Sequence, residues 1–289
     1  MDRINTFSNN NTTYPLHVYV SLDTTESSCV GHWIWECALF LPYIKHLQKT
    51  LSYTVKILLR ELKQFKKNIL SDFDFDDTDI VYSSKMISDH RGSGTWQEHY
   101  IIPEESEYIV YLPKFFYLWQ TNIHKSLFFD CLDRFREYYI QKIPDTSKSI
   151  PITYVARSRK ENYNKNYREF INKDEIRKML DENKVNILDI DDLTSLTPQF
   201  SSILKSKTII VEMGSAFQIN AAFLASGSRI IVINDLWDYD NSDTPFFQIM
   251  RKLMIERNNT VEIFSTGGIK PFTVDKESLE KRVSELMVL

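Results

Sequence analysis

Four groups of residues in this 289-residue chain have types and spacings that could carry chemistry. Gly214-Ser215-Ala216 follows the apolar run TIIVEM and opens a helix-compatible segment carrying Asn220. Small residues let a ligand approach the backbone, and the free N–H groups at a helix start suit a pyrophosphate, although a tight strand-to-helix turn uses the same residues. Arg157, Arg159 and Lys160 follow ITYVA directly. Arginine forks suit phosphate oxygens, so these side chains, placed opposite Gly214, could neutralise a departing nucleoside diphosphate; a solvated basic loop has the same composition. His32 and Glu36 stand four residues apart, one helical turn, so the carboxylate could orient the imidazole as a base. The run SDFDFDDTD, with Asp72, Asp74, Asp76 and Asp77, imitates a D-x-D metal site. It precedes a strand rather than following one, and acidic loops are commonly solvated.

The elements that must position these groups are legible from periodicity. Residues 16–22 alternate as a half-buried strand, and 31–50 carry apolar residues at helical spacing with Pro42 as a kink. Strands are expected near 54–59, 79–83 and 108–112, and a helix near 61–70. Residues 122–141 put Phe128, Cys131, Leu132, Phe135 and Tyr139 on one stripe, an amphipathic helix closing a first domain. The polar, turn-rich stretch 142–150 reads as a linker, giving domains 1–145 and 146–289, with the final helix expected to pack back on the first. Beyond the linker, β-branched strands alternate with helices, the pattern of parallel βαβ units with helices on both faces. Both halves therefore read as Rossmann-like α/β domains. Such sheets bind ligands beyond the carboxyl ends of their strands, which directs attention to the loops after them, including 189–194 with Asp191 and Leu193.

Composition excludes several classes. A net charge of -4 argues against a nucleic-acid surface, and the basic stretch 63–67 reads as a solvated helix face. Cys29, Cys37 and Cys131 form no CxxC pair and read as reduced thiols. The polar start has no apolar signal core, and no run of about 18 apolar residues follows, so a soluble cytoplasmic protein without a transmembrane segment is expected. Asn10, Asn11 and Asn258 stand in N-x-T sequons, as chance allows in an Asn-rich chain.

Several of these segments carry a family resemblance. YREFINKDEI, with Arg168, Asn172 and Glu175, resembles the R-x-x-x-N-x-x-E signature of glycosyltransferase family 61. Residues 193–199 resemble that family's leucine-serine segment ending in glutamine, here Gln199. GSAFQINAAFLASGSRIIVI resembles its H-G-A-x-x-x-N-x-x-F element through Ala216, Asn220, Phe223, Gly227 and Ser228, with Gly214 and Ser215 where the family usually has His and Gly. GHWIWECALFLP resembles its H-W-x-x-E-x-x-P pattern through His32, Trp33, Glu36 and Pro42, with a longer spacing to the proline. The resemblance covers most of residues 28–235.

It implies a GT-B fold, two Rossmann-like domains with a cleft between them, and a UDP-sugar donor carrying xylose, arabinose or N-acetylglucosamine, with xylose placed first. It further implies inversion at the anomeric carbon, a glycan or glycoprotein acceptor and no obligatory metal or other cofactor. The expected donor site combines Arg157, Arg159, Asp191, Leu193, Gly214, Ser215, Ala216 and Asn220. Asp23, His32 and Glu36 are the candidates for the base an inverting displacement needs, and His90 and Trp96 could line the acceptor sugar. Two alternatives stay open: a metal-dependent GT-A transferase built on residues 72–77, and a non-catalytic nucleotide- or sugar-binding module.

Overall fold

The computed structural model describes residues 17–22, 30–50, 54–59, 62–82, 108–111, 122–143, 149–156, 170–189, 196–212, 217, 220–221, 223–234, 245–265 and 272–288. It is a mixed α/β structure built on two parallel sheets. Strands β1 (His17–Ser21), β2 (Thr54–Leu59), β3 (Ile80–Tyr82) and β4 (Tyr108–Tyr111) form the first, in the order β3-β2-β1-β4. Strands β5 (Ile150–Ala156), β6 (Asn186–Asp189), β7 (Ser206–Glu212), β8 (Arg229–Asn234) and β9 (Thr260–Ser265) form the second, in the order β6-β5-β7-β8-β9. Each described pairing is parallel. Ile152 to Ala156 of β5 and Thr208 to Glu212 of β7 are buried without a break, as strands covered on both faces must be.

The helices are α1 (Val30–Glu36), α2 (Leu41–Thr50), α3 (Gln64–Asp72), α4 (Asn122–Lys142), α5 (Lys173–Glu182), α6 (Leu196–Lys205), α7 (Pro245–Glu256) and α8 (Lys276–Met287). The single kinked helix expected over 31–50 is instead two, separated by Cys37 and a short 3-10 turn at Ala38–Phe40. Pro42 has no N–H to give to the preceding turn, so the helix ends and restarts with the proline in a first turn, where that loss is harmless. The final strand, β9, was not foreseen. Its alternation is weak: Thr260 is exposed and Val261 to Phe264 are all only half-buried.

Packing follows from strand alternation. Ile209 and Val211 of β7 face a large cluster, whereas Ile210 faces a smaller one on the opposite side of the same sheet. The smaller cluster joins Ile152 and Tyr154 to Ile176, Met179 and Leu180 of α5 and to Leu279, Val283 and Leu286 of α8. The expectation that the last helix returns to the N-terminal domain is therefore corrected: α8 packs against α5 and β5. Its apolar face is complementary to the open side of the second sheet, and Asp275 caps its start by accepting from the Ser278 amide at 3.2 Å.

The larger cluster runs from Val20 and Ile57 of the first sheet, through Phe128, Phe135 and Tyr139 of α4, to Phe200 of α6 and Phe223. The stripe foreseen on α4 is buried throughout, each of its five residues 0 or 1% exposed. Phe223 lies at the centre of the junction, with ring centroids 3.5 Å from Phe200, 5.3 Å from Phe135 and 5.4 Å from Tyr139. Phe223→Ala is expected to cost about 3 to 5 kcal/mol, the range for emptying an aromatic core site. Urea unfolding of both forms checks it, and a loss below about 1 kcal/mol would mean that the junction does not contribute as a packed core.

Candidate active site

Both sheets reverse their strand order at a first strand. In the first, β1 lies between β2 and β4; in the second, β5 lies between β6 and β7. Where successive connections leave a strand in opposite directions, the loops at the carboxyl ends part and leave a crevice. The crevice of the second sheet lies between the ends of β5 and β7, where Val155 pairs with Val211. Residue 157 follows the last residue of β5, and residue 213 the last residue of β7. Arg157, Arg159, Asp191, Leu193, Gly214, Ser215 and Ala216 themselves lie outside the described residues, so only the strand ends that carry their loops are fixed.

What the structure describes at this edge is a pair of ionic ties that sequence reasoning missed. Glu212, the last residue of β7, is 2% exposed; its Oε1 accepts from Lys173 Nζ at 2.8 Å and from the Tyr154 hydroxyl at 3.0 Å. Burial, with the Glu212 carboxylate beside it, pushes the Tyr154 phenol well above its ordinary range, so it stays protonated and donates. Asp189, the last residue of β6, takes both guanidinium nitrogens of Arg177 at 2.5 Å. The hydrogen bonds it donates to Asp189 raise Arg177 above its ordinary range. The ends of β6 and β7 are thus fastened to α5, and Tyr154 of β5 joins them through Glu212. The available sequence signal was one acid, Glu212, closing an otherwise apolar strand.

Asn220, expected on the donor, is turned into the core instead. It is 0% exposed, and its Oδ1 accepts from Gln199 Nε2 at 2.9 Å, Gln199 being 2% exposed. The amide of Gln199 thereby ties α6 to the chain segment that follows β7. Downstream, Gly227 adopts φ +83°, the left-handed region that glycine enters at no cost. Asn259 Nδ2 closes that turn by donating to the carbonyls of Ala225 at 2.7 Å and Ser228 at 3.2 Å.

At the first sheet, α1 begins eight residues beyond Leu22, over the carboxyl end of β1. Trp33 fastens it there: its indole N–H donates to the Leu22 carbonyl at 2.9 Å, and the Leu22 amide donates to Leu58 O at 3.1 Å. His32 and Glu36 lie on this helix, one turn apart and either side of buried Trp33, Ile34 and Trp35. Their side chains, and Asp23, His90 and Trp96, lie outside the described residues. Lys66 corrects one reading. The stretch 63–67 is not simply a solvated face, because Lys66 is 0% exposed with Nζ 5.9 Å from the Trp33 ring centroid. It shares the buried i, i+3, i+4 stripe of α3 with Ile69 and Leu70, so helical phase overrode its charge.

The acidic run occupies the opposite edge of the first sheet, between the end of α3 and the start of β3. Asp72 accepts from Tyr139 at 2.8 Å and Thr197 at 3.4 Å. Asp74 accepts from Tyr138 at 2.9 Å and pairs with Lys142 at 3.2 Å. Asp76 accepts from the Thr78 amide at 2.7 Å and hydroxyl at 2.5 Å. Three carboxylates thus turn toward three different sets of protein donors, and no group of three or more metal-ligating side chains converges among the described residues.

The family model described as Glycosyltransferase 61 matches residues 30–231, from the start of α1 into β8. The chain belongs to glycosyltransferase family 61. As a glycosyltransferase it takes a sugar donor and an acceptor. No curated protein matches it. Several family-signature residues prove to be structural ties. Asn172 donates to the Val274 carbonyl at 2.8 Å and accepts from the Val274 amide at 2.9 Å, extending the bridge between Phe170 and Phe272. Glu175 pairs with Lys276 at 3.4 Å. Both therefore join the start of α5 to the approach of α8. No helix among the described residues is long and apolar enough to cross a membrane.

The Glu212–Lys173 tie can be tested apart from catalysis. Glu212→Gln removes the carboxylate facing a nearly buried ammonium and is expected to cost about 3 to 5 kcal/mol in urea unfolding. Glu212→Gln combined with Lys173→Met should recover much of that loss, because the stranded charge is gone. Strictly additive losses would show that the two side chains are not coupled.

Proposed function

We propose that the chain is an inverting GT-B glycosyltransferase that moves a sugar, xylose before arabinose or N-acetylglucosamine, from a UDP-sugar to a hydroxyl of a glycan or glycoprotein. In this reading residues 146–289 hold the donor and residues 1–145 the acceptor, across a cleft. The observation that carries it is the reversal of strand order between β5 and β7, which sends the loops bearing Arg157, Arg159 and Gly214 out from adjacent strand ends. Arg157 and Arg159 would take the pyrophosphate from one side. The backbone at Gly214, Ser215 and Ala216 would take it from the other, and Asp191 and Leu193 would lie near the base and ribose. Asn220 would hold that turn from beneath through Gln199. Helix dipole and guanidinium groups can stabilise the leaving diphosphate without a cation, so metal independence belongs to the proposal.

The displacement needs a base on the face opposite UDP to take the acceptor hydroxyl's proton as the anomeric carbon is attacked. Asp23, next after Leu22, and His32 and Glu36 on α1 belong to the connection leaving the β1 end, where the first sheet reverses its order. His90 and Trp96 remain the proposed acceptor contacts.

UDP release from UDP-xylose and an acceptor panel in EDTA is the direct test. Release is expected, and activity restored only by manganese would return the GT-A reading. Arg157→Ala should weaken calorimetric UDP affinity at least several-fold, since a charge-assisted contact contributes about 1.5 to 3 kcal/mol; unchanged affinity would remove Arg157 from the donor site.

A separate set of variants locates the base. One of Asp23→Asn, His32→Ala and Glu36→Gln is expected to lower turnover about 100- to 10,000-fold while UDP still binds. If all three keep near wild-type turnover, the base lies elsewhere.

A further inference from the structure

Beside the first sheet, α2 and α4 border a half-open cavity of about 540 Å³. Its lining is Pro42, Tyr43, Lys45, His46, Lys49, Arg134, Tyr138 and Gln141. That volume falls within the range of small-molecule sites, roughly 300 to 1,000 Å³. The lining contains three permanent cations and an imidazole and no carboxylate, in a chain whose net charge is -4. The floor is largely apolar, made by Pro42, the tyrosine rings and the lysine stems.

The cations are held over this floor. Lys45 donates to the Asp74 carbonyl at 2.7 Å and lies 4.3 Å from the Phe75 ring centroid. The Arg134 guanidinium lies 5.2 Å over the Tyr43 ring and pairs with Asp130 at 3.0 Å, and the Tyr43 hydroxyl also bonds Asp130. Asp130 and Asp74 thus sit behind the cations rather than in the cavity. The Lys49 ammonium and the His46 ring are exposed and have no hydrogen bond or ion pair among the described residues.

We propose that this cavity is a second ligand site, separate from the donor and acceptor crevice, that binds a phosphate ester on a ring-sized organic body. The phosphate lies among Lys45, Lys49 and Arg134, and the body covers the apolar floor. Its separateness follows from the direction of the strands. Gln48, between the two lysines on α2, donates to Val55 O at 3.0 Å and to Asp79 at 2.8 Å, at the starts of β2 and β3. The crevice lies at the strand ends, and β2 has six residues, so the end of α2 that carries Lys49 lies roughly 20 Å from it.

Calorimetric titration of the full chain with glucose 6-phosphate, inorganic phosphate and glucose tests the assignment. Glucose 6-phosphate is expected to bind more tightly than inorganic phosphate, glucose to give no signal, and saturating UDP to leave the Kd unchanged. Lys49→Glu and Arg134→Gln, both at exposed helix positions, should each weaken glucose 6-phosphate about ten-fold or more, and Lys49→Gln by less than Lys49→Glu. The proposal is overturned if glucose binds as well as its phosphate, or if glucose 6-phosphate shows no binding at millimolar concentration. It is equally overturned if Lys49→Glu leaves the Kd unchanged, or if UDP displaces the ligand.

Discussion

Tyr139 is the point on which the two sheets depend. It is 0% exposed, and its ring meets Phe73, Phe135, Phe200 and Phe223 edge-on at centroid distances of 4.8 to 5.6 Å. Edge-to-face contacts between rings add to what their burial alone contributes. The hydroxyl cannot reach water, so it must have a partner inside; it donates to Asp72, which also accepts from Thr197. One side chain of α4 thereby joins α3 of the first sheet to α6 of the second. Burial raises the Asp72 pKa, partly offset by the hydrogen bonds from Tyr139 and Thr197. This carboxylate is retained against a desolvation cost to satisfy the junction.

The rest of the junction repeats that logic along α4. Arg136 donates to the Phe223 carbonyl at 3.2 Å, and Asp133 pairs with Arg257, which is 9% exposed beyond the end of α7. Burial lowers the Arg257 pKa against the opposing pull of Asp133. Only Arg257 is buried in this pair, Asp133 being half exposed, so removing Asp133 would leave a buried guanidinium without its counter-charge. The acidic run belongs to the same system. Asp74 keeps a lowered pKa because hydrogen bonds from Tyr138 and Lys142 outweigh a desolvation cost larger than either. A stretch of sequence that imitates a metal site is thus largely explained by the helix end it fastens.

Sequence made the sheets legible because their strands are short, β-branched and either alternating or wholly apolar, patterns that depend on local phase alone. β2 lies where its pattern places it, near 54–59, and the five side chains of the α4 stripe are buried as their spacing implies. Three things were not legible, each because it is settled by distant chain. Lys66 is buried because α3 turns that phase toward Trp33, which no window around Lys66 contains. α8 packs on its own sheet because α5 and β5 offer a matching apolar face about 100 residues upstream. Glu212, Lys173 and Tyr154 form one cluster from three segments, and only the isolated acid at the end of an apolar strand hinted at it.

The distribution of the signature residues bears on what a family pattern certifies. Asn172 acts on backbone, Glu175 on the Lys276 side chain and Gln199 on Asn220, while Gly227 supplies a left-handed turn. These contacts hold the starts of α5 and α6 at the carboxyl end of a parallel sheet and the turn before β8 at its amino end. They fix where the loops leave it but not what the loops carry. A match on such residues is strong warrant for the family and its α/β architecture. In the proposed function the sugar is read instead by loop side chains such as those at 191, 193, 214 and 215, two of which already differ from the usual family residues. Fold and site position can therefore be inherited together while donor choice varies, because different residues carry them.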